Sequence, residues 1–146
     1  IGEISVMKID IKIIENDDDL QMCQSIRGEV FILEQNISKD VEMDDTLINA
    51  TYILATIQDE PVGTARWRYT EYGIKLERFA VLKNYRGMGI GKALVRFILE
   101  SLKREKNIYL NAQESVIKFY EKLGFICYGE LFIEAEIHHQ KMVYSG

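Results

Sequence analysis

Length, composition and charge exclude several classes of protein. The chain has 146 residues, of which 47% are hydrophobic and 28% are charged, and these values are typical of one globular domain, here residues 1–146. No apolar run is long enough to span a membrane and no signal peptide is recognisable, so we expect a cytoplasmic protein without a membrane partner. The formal net charge of −5 argues against nucleic acid as a partner.

The charge is distributed unevenly along the chain. Residues 1–60 contain 4 basic and 14 acidic residues, whereas residues 61–146 contain 14 basic and 9 acidic ones. One interpretation is that the later part holds an anionic cofactor while the earlier part attracts a cationic substrate. The alternative, which the sequence leaves open, is that both are ordinary solvated faces.

The first half of the chain predicts a strand, a helix, a surface loop and a hairpin. Isoleucines that alternate with polar residues indicate the strand, and three consecutive aspartates provide an N-cap and first-turn charge for the helix. An acidic stretch without periodicity indicates the loop, and two β-type runs around a polar turn indicate the hairpin. In chain order these elements are Ile9–Ile13, a helix from Asp17 to Phe31, the loop Glu34–Asp45, and the strands Thr51–Ile57 and Val62–Tyr69, joined by Gln58–Pro61.

The second half predicts a strand, a glycine-rich loop and a helix, then further short elements. Strands interspersed with helices around an antiparallel centre predict an α/β sandwich with a mixed sheet. Gly124 stands where a helix would end in a left-handed residue. In chain order we expect the strand Leu76–Leu82, the loop Lys83–Gly91, a helix from Ile90 to Leu102, the strand Asn107–Ala112, a helix from Ser115 to Leu123, the strands Phe125–Tyr128 and Lys141–Tyr144, and a short turn or helix over Leu131–Ile137.

The glycine loop is predicted to bind an anion, because unpaired N–H groups point outward where a helix begins. It is not a Walker A loop, since Ala93 follows Gly91-Lys92 where Ser or Thr is required. It is not the dinucleotide fingerprint G-x-G-x-x-G either, because Lys92 stands at the third glycine position. What remains is the run Arg86-Gly87-Met88-Gly89-Ile90-Gly91, which follows R-x-x-G-x-G.

This run and its surroundings resemble the GNAT acetyltransferase superfamily, whose pyrophosphate-binding loop reads Q/R-x-x-G-x-G/A between a strand and a helix. Asn111 and the stretch Phe119–Phe125 follow the loop in the order of the family's later motifs. More narrowly, Arg27–Gln35, Leu76–Arg78 and Ile137–Met142 resemble the small branch named after YjcF and ElaA. The resemblance implies a mixed, mostly antiparallel sheet with splayed central strands flanked by helices.

The resemblance also implies acetyl-CoA as the cofactor. Backbone N–H groups of the glycine loop would hold the pyrophosphate, while the side chains of Arg86 and Lys92 add charge or simply solubilise the loop. Edge groups of Phe79 and Val81 would pair with the pantetheine amides. The cofactor-binding residues expected in this way are Phe79, Ala80, Val81, Arg86, Gly87, Met88, Gly89, Ile90, Gly91, Lys92, Asn111, Phe119 and Tyr120.

The implied reaction is the acetylation of a primary amine, which must first lose a proton because an alkyl ammonium titrates near ~10.4. Glu77 is the first candidate for the base, with Glu34 and Glu42 as second choices. A salt bridge from Glu77 to Arg66 or Arg78 is the structural alternative.

Two further residues are implied in the chemistry. Tyr120 matches the tyrosine that protonates the departing thiolate in the family, although its apolar neighbours also fit a core position. Asn111 would bind the CoA arm or a bridging water, or satisfy the ends of the splayed strands.

The acceptor is expected to be the amine of a small molecule. The acidic residues Glu34, Glu42, Asp44 and Asp45 would attract the amine, while Arg66 and Arg68 with Lys75 would favour a phosphate or carboxylate on the same molecule. An amino-sugar phosphate such as glucosamine 6-phosphate is one concrete hypothesis. The alternation of a strand equally allows the two arginines to face solvent. The substrate-binding residues expected are Arg27, Glu34, Gln35, Arg66, Arg68 and Arg78.

Alternatives to this function remain at the level of sequence. The chain is either an enzyme, or a non-catalytic CoA-binding regulatory or interaction domain, and an enzyme of this type can also acetylate a protein or peptide. A homodimer is left open. His138 and His139 lack metal-ligand companions, so we expect a surface or structural role for them and no metal site.

Overall fold

The computed structural model describes residues 8–35 and 50–146, which form one mixed sheet with helices on both faces. A π-helix over Gly28–Glu34 continues α1, and short 3-10 turns precede α2 and α3. The elements are β1 Ile9–Ile13, α1 Asp17–Arg27, β2 Thr51–Ile57, β3 Glu60–Thr70, β4 Gly73–Val81, α2 Ile90–Ser101, β5 Ile108–Gln113, α3 Ile117–Glu121, β6 Phe125–Cys127, β7 Phe132–Glu134 and β8 Ile137–Tyr144.

The strands of the sheet lie in the order β1-β2-β3-β4-β5-β8-β6, and β7 pairs with β8 as well. All neighbouring strands are antiparallel except β4 and β5, which are parallel. The predicted fold class, a mixed and mostly antiparallel sheet flanked by helices, is therefore confirmed. The crossover from β4 to β5 passes through the glycine loop and α2, as a parallel connection requires.

Two hydrophobic clusters cover the two faces of the sheet. The larger one packs α2 and α3 against β2 to β5, and the smaller one packs α1 and the π-helix against Tyr52 and Leu54 of β2. Ile53 faces the first cluster while Tyr52 and Leu54 face the second, which explains why β2 is apolar along its whole length rather than alternating. Among the described residues, no helix is long and apolar enough to cross a membrane.

Two predictions in the first half of the chain, the helix N-cap and the hairpin turn, differ from the structure by one or two residues. The N-cap of α1 is Asn16, whose Oδ1 accepts from the Asp19 N–H at 2.8 Å, so the aspartates form the first turn rather than the cap. The turn between β2 and β3 consists of Gln58 and Asp59 alone, with φ of 50° and 67°, because two left-handed residues match the twist of the strands. The predicted turn over Gln58–Pro61 is too long, since β3 already begins at Glu60.

The C-terminal hairpin is the largest departure from the predicted elements. The segment predicted as a short turn or helix contains β7, and only Ala135 and Glu136 form a turn, with φ of 50° and 64°. β8 begins at Ile137 instead of Lys141. Because β8 pairs with β5 on one edge and with β6 and β7 on the other, long-range pairing stabilises it despite its polar first half.

Candidate active site

A cleft opens where β4 and β5 separate. Their parallel pairing is limited to Ile74–Leu76 against Ile108–Leu110. Just beyond it, the β3–β4 register shifts, and Arg78 takes a left-handed φ of 59°. Such a bulge bends a strand and increases its twist, which turns β4 away from β5. The resulting cleft has a volume of about 490 Å³ and is also walled by the π-helix, α3 and the β7–β8 hairpin.

One wall of the cleft is the edge of β4. The N–H of Leu82 donates to Val62 of β3 at 3.0 Å, so the backbone groups of Val81 point the opposite way, into the cleft. The Nε of Arg86 donates to the Val81 carbonyl oxygen at 3.0 Å, in agreement with this direction. By the same alternation Phe79 offers its backbone groups to the cleft, and beyond the three residues that pair with β5 no described strand pairs with this edge.

The glycine loop lies at the end of that wall. Gly87 and Gly89 have φ of 81° and 82°, and a Cβ on either would meet no atom within 4 Å, so the backbone there is open to a ligand. Gly89 is the N-cap of α2, and no described side chain caps it. The first N–H groups of α2 are therefore available to an anion.

Side chains of the loop contribute less than its backbone. Ile90 is buried in the core, and Lys92 borders a separate surface depression beside Ile11. Seven of the expected cofactor-binding residues line the cleft itself: Phe79, Ala80, Val81, Arg86, Asn111, Phe119 and Tyr120. The other six, Gly87 to Lys92, form the loop and the beginning of α2 rather than the cleft wall.

The side chain of Arg86 is engaged by the protein itself. Its two terminal nitrogens each donate to a carboxylate oxygen of Glu34 at 2.9 Å, in a bidentate pair that joins the glycine loop to the π-helix. An expected cofactor residue and an expected substrate residue are thus paired with each other. The pair neutralises both charges, which leaves anion binding at the loop to backbone groups.

Glu77 lies at the point where the strands separate and is only 8% exposed. Its carboxylate contacts Arg66 Nε at 2.6 Å, Arg68 Nε at 2.9 Å and Lys75 Nζ at 3.4 Å. Burial alone would raise the pKa of Glu77, but the charges of Arg66 and Lys75 and the hydrogen bond from Arg68 outweigh it and lower the pKa to about 2. A carboxylate held this firmly ionised accepts protons weakly, so the contacts favour the structural alternative over a role as base.

The opposite wall carries Tyr120 and Asn111. Tyr120 is buried among aromatic rings at centroid distances of 5.9 Å from Phe79, 5.0 Å from Phe119 and 5.8 Å from Phe125, yet it also lines the cleft. Burial raises the pKa of its hydroxyl above the ordinary range, so the group stays protonated at neutral pH. Tyr120 therefore packs in the core and also borders the cleft, so its position fits both interpretations, although the raised pKa makes its hydroxyl a weaker proton donor than a free phenol.

A second cavity of about 610 Å³ continues from the cleft across Lys75 and Asn111. Its lining includes Arg68, and Lys141 lies opposite Asn111 in the β5–β8 register. The Lys141 ammonium lies over three tyrosine rings, with centroids at 5.5 Å, 4.9 Å and 5.3 Å for Tyr72, Tyr109 and Tyr128. Cation–π contacts of this kind hold a lysine in place without neutralising its charge.

Of the remaining residues expected to bind the substrate, two line the cleft and two are buried away from it. Gln35 and Arg78 line the cleft, and Gln35 accepts a hydrogen bond from Gln113 at 3.0 Å. Arg27 is completely buried and does not line either cavity, and Arg66 is buried between Tyr52 and Glu77. Their positions do not support direct contact with a substrate. Glu42, Asp44 and Asp45 lie outside the described residues.

Three residues that line the two cavities were not predicted from the sequence, two of them on β8 and one on β7. His139 and Glu134 line the main cleft, and Lys141 lines the second cavity. Of the surface or structural role expected for the two histidines, the surface alternative fits His138, which is exposed, but not His139, which is 8% exposed. Alternation in a strand beginning at Ile137 would have placed His139 and Lys141 on one face. Within the described ranges, no group of His, Cys, Asp and Glu side chains is arranged to hold a metal ion.

Comparison with known proteins gives a consistent result. Residues 21–145 match the family described as an acetyltransferase (GNAT) domain. YjcF of Bacillus subtilis, named as an N-acetyltransferase, is 33% identical over 90% of this chain and 96% of its own. The crystal structure of Escherichia coli ElaA superimposes with a TM-score of 0.83, at 26% identity, over 94% of this chain and all of that chain.

A more distant structure illustrates how the same fold is used elsewhere. Arabidopsis thaliana Naa50, in complex with the bisubstrate analogue CoA-Ac-MVNAL, has a TM-score of 0.69 at 23% identity, over 92% of this chain and 97% of its own. At this identity the likeness concerns the fold alone.

Proposed function

Because the chain belongs to the GNAT acetyltransferase family and is therefore an acyltransferase that uses acetyl-CoA, we propose that it acetylates the primary amine of a small molecule while both substrates are bound. The observation that carries this proposal is the cleft at the separation of β4 and β5, which has an unpaired strand edge on one side and charged side chains on the other. Such a cleft fits a long cofactor and a polar acceptor that meet in the middle.

The cofactor side of the cleft fits CoA through its backbone. The edge of β4 at Phe79 and Val81 suits the amides of pantetheine, and the glycine loop with the uncapped start of α2 suits the pyrophosphate. Bound acetyl-CoA supplies the acetyl group as a reactive thioester. Because Arg86 already donates to the Val81 carbonyl, we expect this hydrogen bond to break when the pantetheine arm enters.

Tyr120 and Asn111 are proposed to act on the reacting atoms. Tyr120 borders the cleft and is protonated at neutral pH, which supports a role in giving a proton to the sulfur as the thiolate leaves. Asn111 lies at the position where β5 leaves β4 and borders both cavities, where its amide can orient the cofactor arm or a water. Glu77 is proposed to hold Arg66, Arg68 and Lys75 in place.

The acceptor is proposed to carry an anionic group, and an amino-sugar phosphate remains a concrete example. Arg68, Lys75 and Lys141 line the second cavity, with Glu71 as the acidic residue of that lining. Glu77 pairs with Arg68 and Lys75 and neutralises part of this charge, and the remaining net charge of the lining is positive. A phosphate or carboxylate in this cavity would leave the amine of the same molecule free to reach the main cleft.

The test is the release of CoA thiol from acetyl-CoA in the presence of matched amine pairs that differ only in an anionic group. Glucosamine 6-phosphate against glucosamine and phosphoethanolamine against ethanolamine are suitable pairs. We expect turnover with at least one anionic member and a lower kcat/KM for its neutral partner. CoA binding by calorimetry without turnover on any amine would instead support a CoA-binding regulatory domain, and turnover on peptides alone would support peptide acetylation.

A further inference from the structure

The reaction requires a group that removes a proton from the acceptor ammonium, and the ion pairs of Glu77 make it unsuited to this role. We propose that His139 is the general base, an inference that rests on the acetyltransferase function proposed above. The proposal rests on the position of the imidazole, on its tautomer and on the carboxylate beside it.

The position of His139 follows from the register of β8. His139 is opposite Gln113 and Lys141 is opposite Asn111, and residues directly opposite each other, like those two apart on one strand, share a face of the sheet. His139 therefore shares a face with Asn111, the residue at which β5 leaves β4, and it lines the same cleft as Glu77 and Tyr120. The imidazole is on the side of the sheet that carries the charged acceptor residues.

The hydrogen bond of the imidazole fixes its tautomer. Nδ1 is 2.7 Å from the carbonyl oxygen of Ile137, and because a carbonyl oxygen can only accept, Nδ1 must carry the hydrogen. In the neutral ring the lone pair is then on Nε2. A base needs such a lone pair in a fixed direction, and this backbone contact provides it without using another side chain.

Two residues of β7 support the ring. Phe132 stacks on it with a centroid distance of 5.8 Å and an interplanar angle of 23°, which restricts its rotation. Glu134 Oε2 lies 4.0 Å from Nε2 and also lines the cleft. Its negative charge would stabilise the imidazolium that forms when Nε2 takes up a proton. The Ile137 carbonyl, on the far side of the ring, orients the base by accepting from Nδ1.

The proton and electron balance is complete with the groups named. Nε2 takes one proton from the acceptor ammonium, and the freed nitrogen lone pair forms the C–N bond to the acetyl carbon. The C–S bond breaks, and the sulfur takes a proton from the Tyr120 hydroxyl, which recovers one from the second N–H of the reacting nitrogen. His139 then releases its proton to water, so that the products are the amide, the CoA thiol and one proton.

The charged groups around His139 come from several elements. Glu134 faces it from β7, Lys141 shares its face on β8, and the opposite residue on β5, Gln113, is neutral. Across the cleft lie the cations of Lys75, Arg78 and Arg86, with Glu77 and Tyr120. Of these, Glu134 is the acidic group within ion-pair distance of Nε2, so its removal is the most direct way to change the charge beside the imidazole.

The experiment compares His139→Asn with His138→Gln. The amide nitrogen of Asn can still donate to the Ile137 carbonyl but offers no basic nitrogen, and His138 is an exposed neighbour 3.8 Å from Glu114. We expect His139→Asn to lower kcat/KM by about 100-fold or more and to remove the acid limb of the wild-type pH profile, while CoA affinity by calorimetry is unchanged. His138→Gln should match the wild type.

A second variant keeps the proposal testable if His139→Asn folds poorly. Glu134 is half exposed, so Glu134→Gln should preserve the fold, and it should lower kcat/KM several-fold at unchanged CoA affinity because the imidazolium formed in the reaction loses the negative charge beside it. Retention of wild-type kcat/KM and of the acid limb in His139→Asn would overturn the proposal, as would a wild-type kcat/KM in Glu134→Gln. Wild-type protein that acetylates no amine would instead overturn the proposed function.

Discussion

The β4 wall of the cleft, with the glycine loop beyond its end, offers mainly backbone groups, whereas the wall formed by β5, β8 and the β3–β4 hairpin offers charged side chains. On the first side, Val81 in the wall and Gly89 in the loop present backbone groups whose direction depends on local conformation. On the second, Lys141 and His139 depend on which strands pair and in which register. The first wall suits a constant cofactor, and the second can change with the acceptor.

Charged side chains are neutralised on one side of the cleft and left charged on the other. Arg86, beside the glycine loop, is neutralised by Glu34, while Lys141 is held by tyrosine rings that leave its charge intact. Variants that alter one wall at a time should therefore affect different constants.

The largest effect is expected for the ion-pair cluster that supports the charged wall. Glu77→Gln leaves Arg66 buried with a lost counter-charge, so the free energy of unfolding at pH 7 should fall by about 3 kcal/mol. Glu100→Gln is the control, because Glu100 pairs with Lys103 on the surface, where such a pair contributes under ~1 kcal/mol. Equal losses in the two variants, measured by urea unfolding, would contradict the structural role of Glu77.

The same cluster gives a pH dependence with a defined sign. The pKa of Glu77 is lowered from 4.5 to about 2 in the folded protein, so its contribution is complete above pH 4.5 and is lost as the pH falls towards 2. The shift corresponds to about 3 kcal/mol. The free energy of unfolding of wild type minus that of Glu77→Gln should shrink over this interval, and a constant difference would argue against the ion pairs.

The next effect concerns the proton donor. Tyr120→Phe preserves the aromatic packing but removes the hydroxyl, so kcat should fall by about 100-fold with the affinity for CoA retained. Tyr144→Phe is a matched control, because that ring also packs on Phe125 but does not line the cleft. An unchanged kcat in Tyr120→Phe would assign the residue to the core alone.

On the backbone wall, Gly89→Ala should raise the Kd of CoA about 10-fold, because a side chain strains the left-handed conformation and blocks close approach. Gly129→Ala is a suitable control, since Gly129 has a φ of 79° and equally open surroundings but lies far along the chain in the β6–β7 connection. Similar Kd values for both variants in calorimetry would show that the loop does not contact the cofactor.

On the charged wall, Lys141→Met should raise the KM of an anionic amine several-fold and leave that of its neutral partner unchanged. The methionine preserves much of the packing among the tyrosine rings while the charge is lost. Lys122→Met, at an exposed lysine that borders neither cavity, provides the control. Equal changes for anionic and neutral amines would mean that the second cavity does not hold the anionic group.

Local patterns predicted most of the elements and the backbone wall. The alternating isoleucines of β1, the apolar spacing of α2 and the glycine loop depend on neighbours within a few residues, and each is found near its predicted position. The order of strands and helices predicted an α/β sandwich with a mixed sheet, and the resemblance to the GNAT superfamily supplied its mostly antiparallel, splayed form. The partners of Glu77 were partly foreseen, since Arg66 was one of two proposed salt-bridge residues.

Features that depend on long-range pairing were not accessible in this way. The bulge at Arg78 arises from the register of β3 against β4, and the positions of His139 and Lys141 at the two cavities arise from the register of β8 against β5. β7 was missed because a three-residue strand is stabilised only by its partner β8. The π-helix after α1 also has no sequence signal that separates it from an ordinary continuation of the helix.

The central claim is that one cleft joins a backbone site for the cofactor to a side-chain site for the acceptor. The most direct test measures the Kd of CoA and the KM of an anionic amine on both Gly89→Ala and Lys141→Met. We predict that Gly89→Ala changes the Kd of CoA and leaves the KM of the amine unchanged, and that Lys141→Met does the reverse. If each variant changes both constants to the same extent, the division of the cleft into two walls is wrong.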